Sequence, residues 1–282
     1  MDSTRPIRAL VRGLEALAVL NLREGGTVSE VAREVGLPRT TVYRILETLC
    51  DSGLVVRDSA AERYRPTVLV HALSAGFREE SWMTQVAKPC LFELGESIVW
   101  PVNIATLADS KLIVREATDH HSPLAIEHIS AGATLPLLTT SAGRAYLAHC
   151  SLAQRTSLLD NLMGSHDAAA QWADGRAARD PEELSRLLED TATLGYATDA
   201  SIRGMVEELS ISVPVRLQQS TSDQSSLAVL TVRFAASAVP LKTGLERFLP
   251  KLRRCAAKIG TTFGKTADAR ERLQHATAQG DI

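Results

Sequence analysis

Apolar residues recur at helical spacing through the first fifty positions. Leu10, Val11, Leu14 and Leu17 make a stripe along Ile7–Leu22, the repeat expected of one helix face. Gly25-Gly26 ends it, and Thr27 or Ser29 offers a cap for a second, short helix, SEVAREV, with Val31, Ala32 and Val35 on one side. Gly36-Leu37-Pro38 interrupts again: glycine admits a tight turn, and proline suits a first helical turn because no N–H partner is lost there. In the third helix, Pro38 to Asp51, Val42, Ile45, Leu46 and Leu49 define the inward side. At about 100° per residue, the outward side centres on Thr40, Arg44 and Glu47, flanked by Thr41 and Tyr43. Leu54-Val55-Val56 and the region of Tyr64 then read as two short strands around a polar turn, a hairpin bearing Arg57, Arg63 and Arg65.

Farther along, the periodicity alternates between strand and helix. His71 to Glu80 reads as a linker helix, with a boundary at Ser81-Trp82. A helix over Met83–Glu96 leads to strands at Ile98–Leu107, Lys111–Ala117, Leu124–Ile129, Leu209–Arg216 and Leu227–Phe234. Helices are predicted over Ser141–His149, Leu152–Leu162, Pro181–Leu194 and Leu241–Phe263, and His166–Asp180 reads as a surface loop. Strands interrupted by helices predict an α/β or α+β unit. A length of 282 residues, at roughly 100–200 per domain, predicts two compact units.

Composition adds exclusions. Hydrophobic residues at 45% and charged residues at 23% are ordinary for a globular chain and argue against wholesale disorder. No apolar run approaches the ~18 residues that span a bilayer, and the start, MDSTRPIRALVRG, has no apolar core followed by a small-residue cleavage site. Cys50, Cys90, Cys150 and Cys255 contain no CxxC pair, which suits scattered thiols in a reducing compartment; a cytoplasmic protein is expected. The net charge of -2 divides unevenly: residues 1–78 hold eleven Arg, no Lys and nine acidic residues, leaving -4 to the remainder. An all-Arg supply suits phosphate and base edges. A chain-wide preference of 25 Arg to 6 Lys accounts for the same excess, so charge alone decides little.

Order along the chain decides more. Two short helices joined by a glycine turn, followed by a basic hairpin, form a winged helix-turn-helix whose second helix enters the major groove. On that reading Thr40, Thr41, Tyr43, Arg44 and Arg39 read or flank bases of double-stranded operator DNA, while Arg12, Arg57, Arg63 and Arg65 hold phosphates. The bland alternative is a solvated helix face. In the second unit, His120, His121 and His128 invite a metal, but adjacent histidines on a strand point to opposite faces, and no metal site is expected. No GxSxG, GxGxxG or P-loop pattern occurs, so neither hydrolase chemistry nor a nucleotide cofactor is expected. Trp100, before Pro101, reads as a packing residue.

RALVRGLEAL, TVSEVAREVGLPRTTVYRILETLCDSGLV and RYRPTVLVHALSAGF, in that order, resemble the IclR-type transcriptional regulators. TLPLLTTSAGRAYLAHC, LGYATD and SISVPV resemble the same family's ligand-sensing part, so the likeness covers nearly the whole chain. VVRDS, IVWPVNIATL and FAASAV look closest to activators of hydroxyphenylpropionate catabolism. The resemblance implies an α+β protein: a winged helix-turn-helix over 1–66, a linker helix over 67–82, and a GAF-like effector-binding and oligomerisation domain with a curved antiparallel sheet over 83–265. A polar tail, 266–282, would follow.

Hydroxyl residues before the helix at Ser141 sit where backbone N–H groups favour an anion, so a carboxylate can dock near Ser141 and Ala142; capping by Thr140 or Ser141 explains the same residues. The resemblance tips this toward a small carboxylic-acid effector and places Ser210, Thr231 and Arg233 on strands lining the same cavity, with Asp199 nearby. Arg233 stands where the family has a small polar residue, so it either grips a larger anion or turns away; Glu127 or His128 would meet a ring hydroxyl. The expected function is a regulator, with no enzymatic activity. It would be a homodimer or tetramer, activating or repressing a catabolic operon, with RNA polymerase as a further partner. Hydroxyphenylpropionate leads the effectors, followed by hydroxybenzoate or a small keto acid. Two rival classes differ in their observables: an aromatic-acid enzyme would turn its ligand over, and a protein-interaction module would lack salt-dependent duplex binding.

Overall fold

Thr27 closes a reciprocal cap that starts the second helix. Its backbone N–H donates to Glu30 Oε2 at 2.8 Å, and the Glu30 N–H donates to Thr27 Oγ1 at 3.3 Å, pairing two donors that a helix start otherwise leaves open. The fold is that of a computed structural model describing residues 7–23, 25–58, 62–73, 82–164, 181–203, 205–216 and 226–278, without the side chains of 163–164, 181, 203, 226–227 and 264–278. Contacts divide the chain into two units, Met1–Arg78 and Glu79–Ile282.

In the first unit α1 (Arg8–Leu22), α2 (Val28–Val35) and α3 (Arg39–Asp51) precede a hairpin of β1 (Val55–Asp58) and β2 (Arg63–Pro66), then a helical turn, α4 (Leu69–Ala72). Tyr64 on β2 exchanges two backbone hydrogen bonds with Gly26, at 2.8 and 2.9 Å. Gly25 beside it has φ 112°, and a Cβ there would lie 2.7 Å from the Tyr64 carbonyl; only glycine lets the hairpin approach so closely. Ala16, Leu17, Leu20, Val31, Ala32, Val42, Leu46, Val55 and Tyr64 form the core. The expected α1 stripe is therefore only partly right: Leu17 is buried, whereas Leu10, Val11 and Leu14 are exposed. The linker helix expected over His71–Glu80 falls mostly on residues 74–81, outside the described residues.

The second unit opens with a π-helical turn, Met83–Ala87, continuous with α5 (Lys88–Ile98). β3 (Val102–Ala108), β4 (Lys111–Ala117), β5 (Thr134–Leu135), α6 (Ser141–His149), α7 (Leu152–Gly164), α8 (Pro181–Leu194), β6 (Ala197–Arg203), β7 (Val206–Arg216), β8 (Ser226–Ala235) and α9 (Leu241–Ala278) follow. The strands make one antiparallel sheet in the order β5-β4-β3-β8-β7-β6, so the unit is α+β. Period-two alternation sorts its faces. Leu209, Ile211, Val213 and Val215 join Leu230, Val232, Phe234, Val102 and Ile104 in a core with α5 and α9. The other face carries Glu208, Ser210 and Ser212 and lies against α6 and its neighbours.

Several expectations change. Leu124–Ile129 is not a strand but part of the connection between β4 and β5. Asp119 Oδ1 accepts the Ile129 N–H at 2.9 Å and Arg233 reaches the Glu127 carbonyl, so those backbone groups are paired without a ladder. His120 and His121 lie on a 3-10 turn, Asp119–His121, rather than a strand. The strand expected from Ile98 starts at Val102, because α5 runs to Ile98. β6 and β5 were not anticipated as strands, and the helix expected to end at Phe263 continues to Ala278. The surface loop expected at 166–180 lies outside the described residues. Among the described residues no helix is long and apolar enough to cross a membrane.

Candidate functional site

Pro38 sets the start of α3, and its carbonyl accepts the N–H groups of Thr41 and Val42 at 3.0 and 3.1 Å. With Val42 and Leu46 inward, Arg39, Thr40, Tyr43 and Arg44 are exposed, and Thr41 is half-buried. Neither Arg39 nor Arg44 has an ion-pair partner among the described residues. Arg12 lines a groove beside Thr40, Thr41 and Arg44, so α1 and α3 bring four of the expected contact residues together.

The hairpin arginines differ in placement. Arg57 lies 3.9 Å from Glu47 and 5.8 Å from the centroid of the Tyr64 ring, and Arg65 pairs across the hairpin with Asp58 at 3.3 Å. Both keep exposed side chains. Arg63 turns toward the start of α2, donating to the Gly25 carbonyl at 3.2 Å and lying 3.5 Å from Glu30; it braces hairpin to helix. Glu47, on the outward side of α3, accepts the Tyr64 hydroxyl at 2.7 Å. Burial, then that bond and the nearby carboxylate charge, push the Tyr64 phenol up to about 12. The wing is thus latched to α3 by a residue that sequence reading treated only as strand.

The second site lies on the polar face of the sheet beneath the start of α6. Thr140 supplies the side-chain cap, accepting the Gly143 N–H at 3.0 Å while its hydroxyl donates to the Pro136 carbonyl at 2.6 Å. Gly143 is needed here, since a Cβ would fall 2.1 Å from the Leu137 carbonyl. Relieved of capping, Ser141 shares hydrogen bonds with Ser210 at 2.7 Å and Ser212 at 2.8 Å, and Ser212 with Thr231 at 2.8 Å. The register places Ser210 between Asp199 and Arg233. Ser141, Ala142, Ser212, Thr231 and Arg233 are buried, Ser210 and Asp199 half-buried. Asp199 lies 3.7 Å from Arg144, whose guanidinium also donates to the Thr198 carbonyl at 2.6 Å.

Arg233 is already compensated. It pairs with Asp119, lies 3.1 Å from Glu208 Oε2, and donates to the Glu127 carbonyl at 3.3 Å. Glu127 therefore enters the network through its backbone, with its side chain exposed; His128 is also exposed, stacked on His120 with ring centroids 4.9 Å apart. Ser212, Asp119, Glu208 and the buried Asn103, opposite Thr231 on β3, were missed. The alternation Glu208-x-Ser210-x-Ser212 was visible and would have found two of them. Among the described residues no group of three or more His, Cys, Asp or Glu side chains is placed to hold a metal.

Comparison with known proteins agrees with both halves. Residues 9–59 match the IclR helix-turn-helix domain, and residues 80–261 the Bacterial transcriptional regulator IclR C-terminal model. A Cupriavidus necator protein named "Probable transcriptional regulator SauR" is 25% identical, covering 90% of this chain and 96% of its own. "Transcriptional repressor IclR" of Escherichia coli is 28% identical, over 70% of each chain. An IclR homolog from Microbacterium hydrocarbonoxydans, solved in complex with 4-hydroxybenzoate, superposes with a TM-score of 0.57 at 23% identity, covering 92% of this chain and 99% of its own. With an exposed, arginine-bearing α3 beside a latched wing and matches over both units, this chain belongs to the IclR family of ligand-responsive, DNA-binding transcriptional regulators.

Proposed function

We propose that this regulator activates a catabolic operon in response to an aromatic carboxylic acid of the hydroxyphenylpropionate type. The observation carrying the effector reading is the linked row Ser210, Ser141, Ser212 and Thr231 beneath the start of α6. First-turn N–H groups favour a carboxylate. Ser141 and Ala142 receive it, Ser210 and Asp199 border it, and Thr231 closes the row. Because Arg233 has two carboxylates of its own, its part is to hold the connection at Glu127 and His128 over the sheet rather than to grip the acid.

On DNA, Arg39, Thr40, Thr41, Tyr43 and Arg44 of each copy face the major groove, and Arg12, Arg57 and Arg65 hold phosphates. Arg63 supports the wing from within. A homodimer or tetramer presents two such helices to half-sites about 34 Å apart. The acid favours one arrangement of copies over another, with ~1–3 kcal/mol of coupling changing operator affinity or polymerase contact roughly 5–150-fold.

A second reading is a repressor released by hydroxybenzoate or a small keto acid; the repressor name of the Escherichia coli relative and the 4-hydroxybenzoate complex favour it. Calorimetry of the full chain with 3-(hydroxyphenyl)propionates, 4-hydroxybenzoate and short keto acids, followed by transcription in vitro from the protein's own upstream region, decides between them. Binding of a hydroxyphenylpropionate with increased transcription supports the first reading; binding only of the other acids, or relief of repression, overturns it.

A further inference from the structure

Three side-chain atoms buried on the polar side of the sheet have no hydrogen-bond partner among the described residues: Asn103 Oδ1, Asp119 Oδ2 and Arg233 Nε. Their residues are 1%, 0% and 4% exposed, so bulk solvent does not reach them. A buried donor or acceptor left open costs its desolvation, and the great majority of such atoms in folded proteins are paired. Sheet register brings the three together. Val102 and Ile104 point into the core with α5 and α9, so Asn103 between them lies on the opposite face with Ala105. It stands opposite Thr231 on β8 and Ala117 on β4. Arg233, two residues beyond Thr231, is a diagonal neighbour of Asn103, about 7–8 Å away and within reach of a long side chain. Asp119, two residues beyond Ala117, is carried to the same place by its ion pair with Arg233.

We infer that this trio reads a hydroxyl group on the effector, with Asn103 as the residue that sets a preference for hydroxylated acids. A hydroxyl both donates and accepts. It donates to Asn103 Oδ1 or Asp119 Oδ2 and accepts from Arg233 Nε, answering a set of two acceptors and one donor. A carboxylate brings no donor to the two acceptors, and a bare ring edge brings nothing to any of the three. The trio also lies at the right distance from the acid end. Ser141 bonds to Ser212, which shares a row across the sheet with Thr231 and Asn103. Two strand spacings separate Ser212 from Asn103, about 10 Å. A ring with an acid arm covers that span, its carboxylate at the start of α6 and its hydroxyl over β3, whereas a short keto acid does not. The hydroxyl is then met from within the sheet and not by the exposed side chains of Glu127 and His128. This inference rests on the reading that an aromatic acid sits beneath α6, and adds what recognises its far end.

Calorimetry of the full chain compares each acid with the same acid lacking its hydroxyl: 3-(3-hydroxyphenyl)propionate against 3-phenylpropionate, and 4-hydroxybenzoate against benzoate. The wild type should bind the hydroxylated member of one pair tighter by roughly 10- to 100-fold. Asn103→Leu, of similar volume, should shrink that preference to about threefold or less, weakening the hydroxylated acid and leaving its partner unchanged or tighter. Without effector the same variant should melt no lower than the wild type, because an apolar group in place of an open buried acceptor is neutral or stabilising. A preference that survives in Asn103→Leu overturns the assignment and leaves the aromatic-acid reading standing, as does a wild type that binds both members of a pair equally. A lower melting temperature in effector-free Asn103→Leu also overturns it, since Asn103 would then be holding the fold. Binding of neither pair to the wild type overturns the aromatic-acid reading and this inference with it.

Discussion

Removing the charge of Arg233 should cost the second unit far more stability than it costs ligand binding. Arg233→Met keeps the aliphatic stem but takes the Arg233 guanidinium away from Asp119, fully buried, and from Glu208, 4% exposed. Breaking a buried ion pair from one side costs about 3–5 kcal/mol, because the remaining charge stays desolvated. For a unit of this size each kcal/mol shifts the melting temperature by about 2–4 °C, giving a loss of about 6–20 °C. The three tryptophans, Trp82, Trp100 and Trp172, all lie in the second unit, so thermal unfolding followed by tryptophan fluorescence reports that unit alone. Asp119→Asn with Glu208→Gln and Arg233→Met should recover most of the loss, since a whole buried ion cluster is cheap to replace by neutral groups. A drop under about 3 °C in the single variant, or no recovery in the triple one, refutes the reasoning. A loss of effector affinity at unchanged stability would instead make Arg233 the grip for the acid.

Arg44→Ala should weaken specific operator binding by ~1–3 kcal/mol if the guanidinium forks onto one base; an unchanged anisotropy titration and footprint would remove Arg44 from the reading surface. Thr27→Ala deletes the capping hydroxyl of α2 and should cost the DNA-binding unit ~0.5–2 kcal/mol, seen as faster hydrogen exchange of the α2 amides; unchanged exchange would show the cap to be idle. Burial and the bond to Glu47 raise the Tyr64 phenol from 10.0 to about 12, so the folded state holds a proton that the unfolded chain has already released. Its contribution is therefore complete below about pH 10 and lost as pH rises toward about 12. Tyr64→Phe should lack this alkaline loss in far-UV circular dichroism of the first unit, and an identical profile would place the titration elsewhere.

The helices of the DNA-binding unit were legible because their determinants are local. Thr27 and Glu30 are three residues apart, Gly36 takes the left-handed conformation that ends α2 (φ 65°), and Val42 and Leu46 are one turn apart. The α1 stripe was legible as a helix but not as a burial pattern. Leu10, Val11 and Leu14 satisfy helical spacing whether they face their own core or another chain, and here Ala16, Leu17 and Leu20 occupy the core instead. Strand alternation marked β7 and β8, whereas β6, with the mixed sequence Ala197–Arg203, carries no apolar face strong enough to announce a strand.

By itself the sequence determined where chain direction changes, which residues share a helix or strand face, and that Thr140 and Ser141 begin α6. Those features depend on hydrogen bonds and periodicities within a few residues. The choice between the two caps was made elsewhere: Ser141 is drawn to Ser210 and Ser212, 69 and 71 positions away, leaving Thr140 the Gly143 amide. Arg233 meets Asp119 across 114 positions, and Arg63 finds Gly25 across 38. Such partners follow from sheet register and from how the hairpin packs on the helices. A side chain's charge and reach belong to its residue type, but whether it faces a ligand, a carboxylate or another helix is settled only when distant segments are brought together.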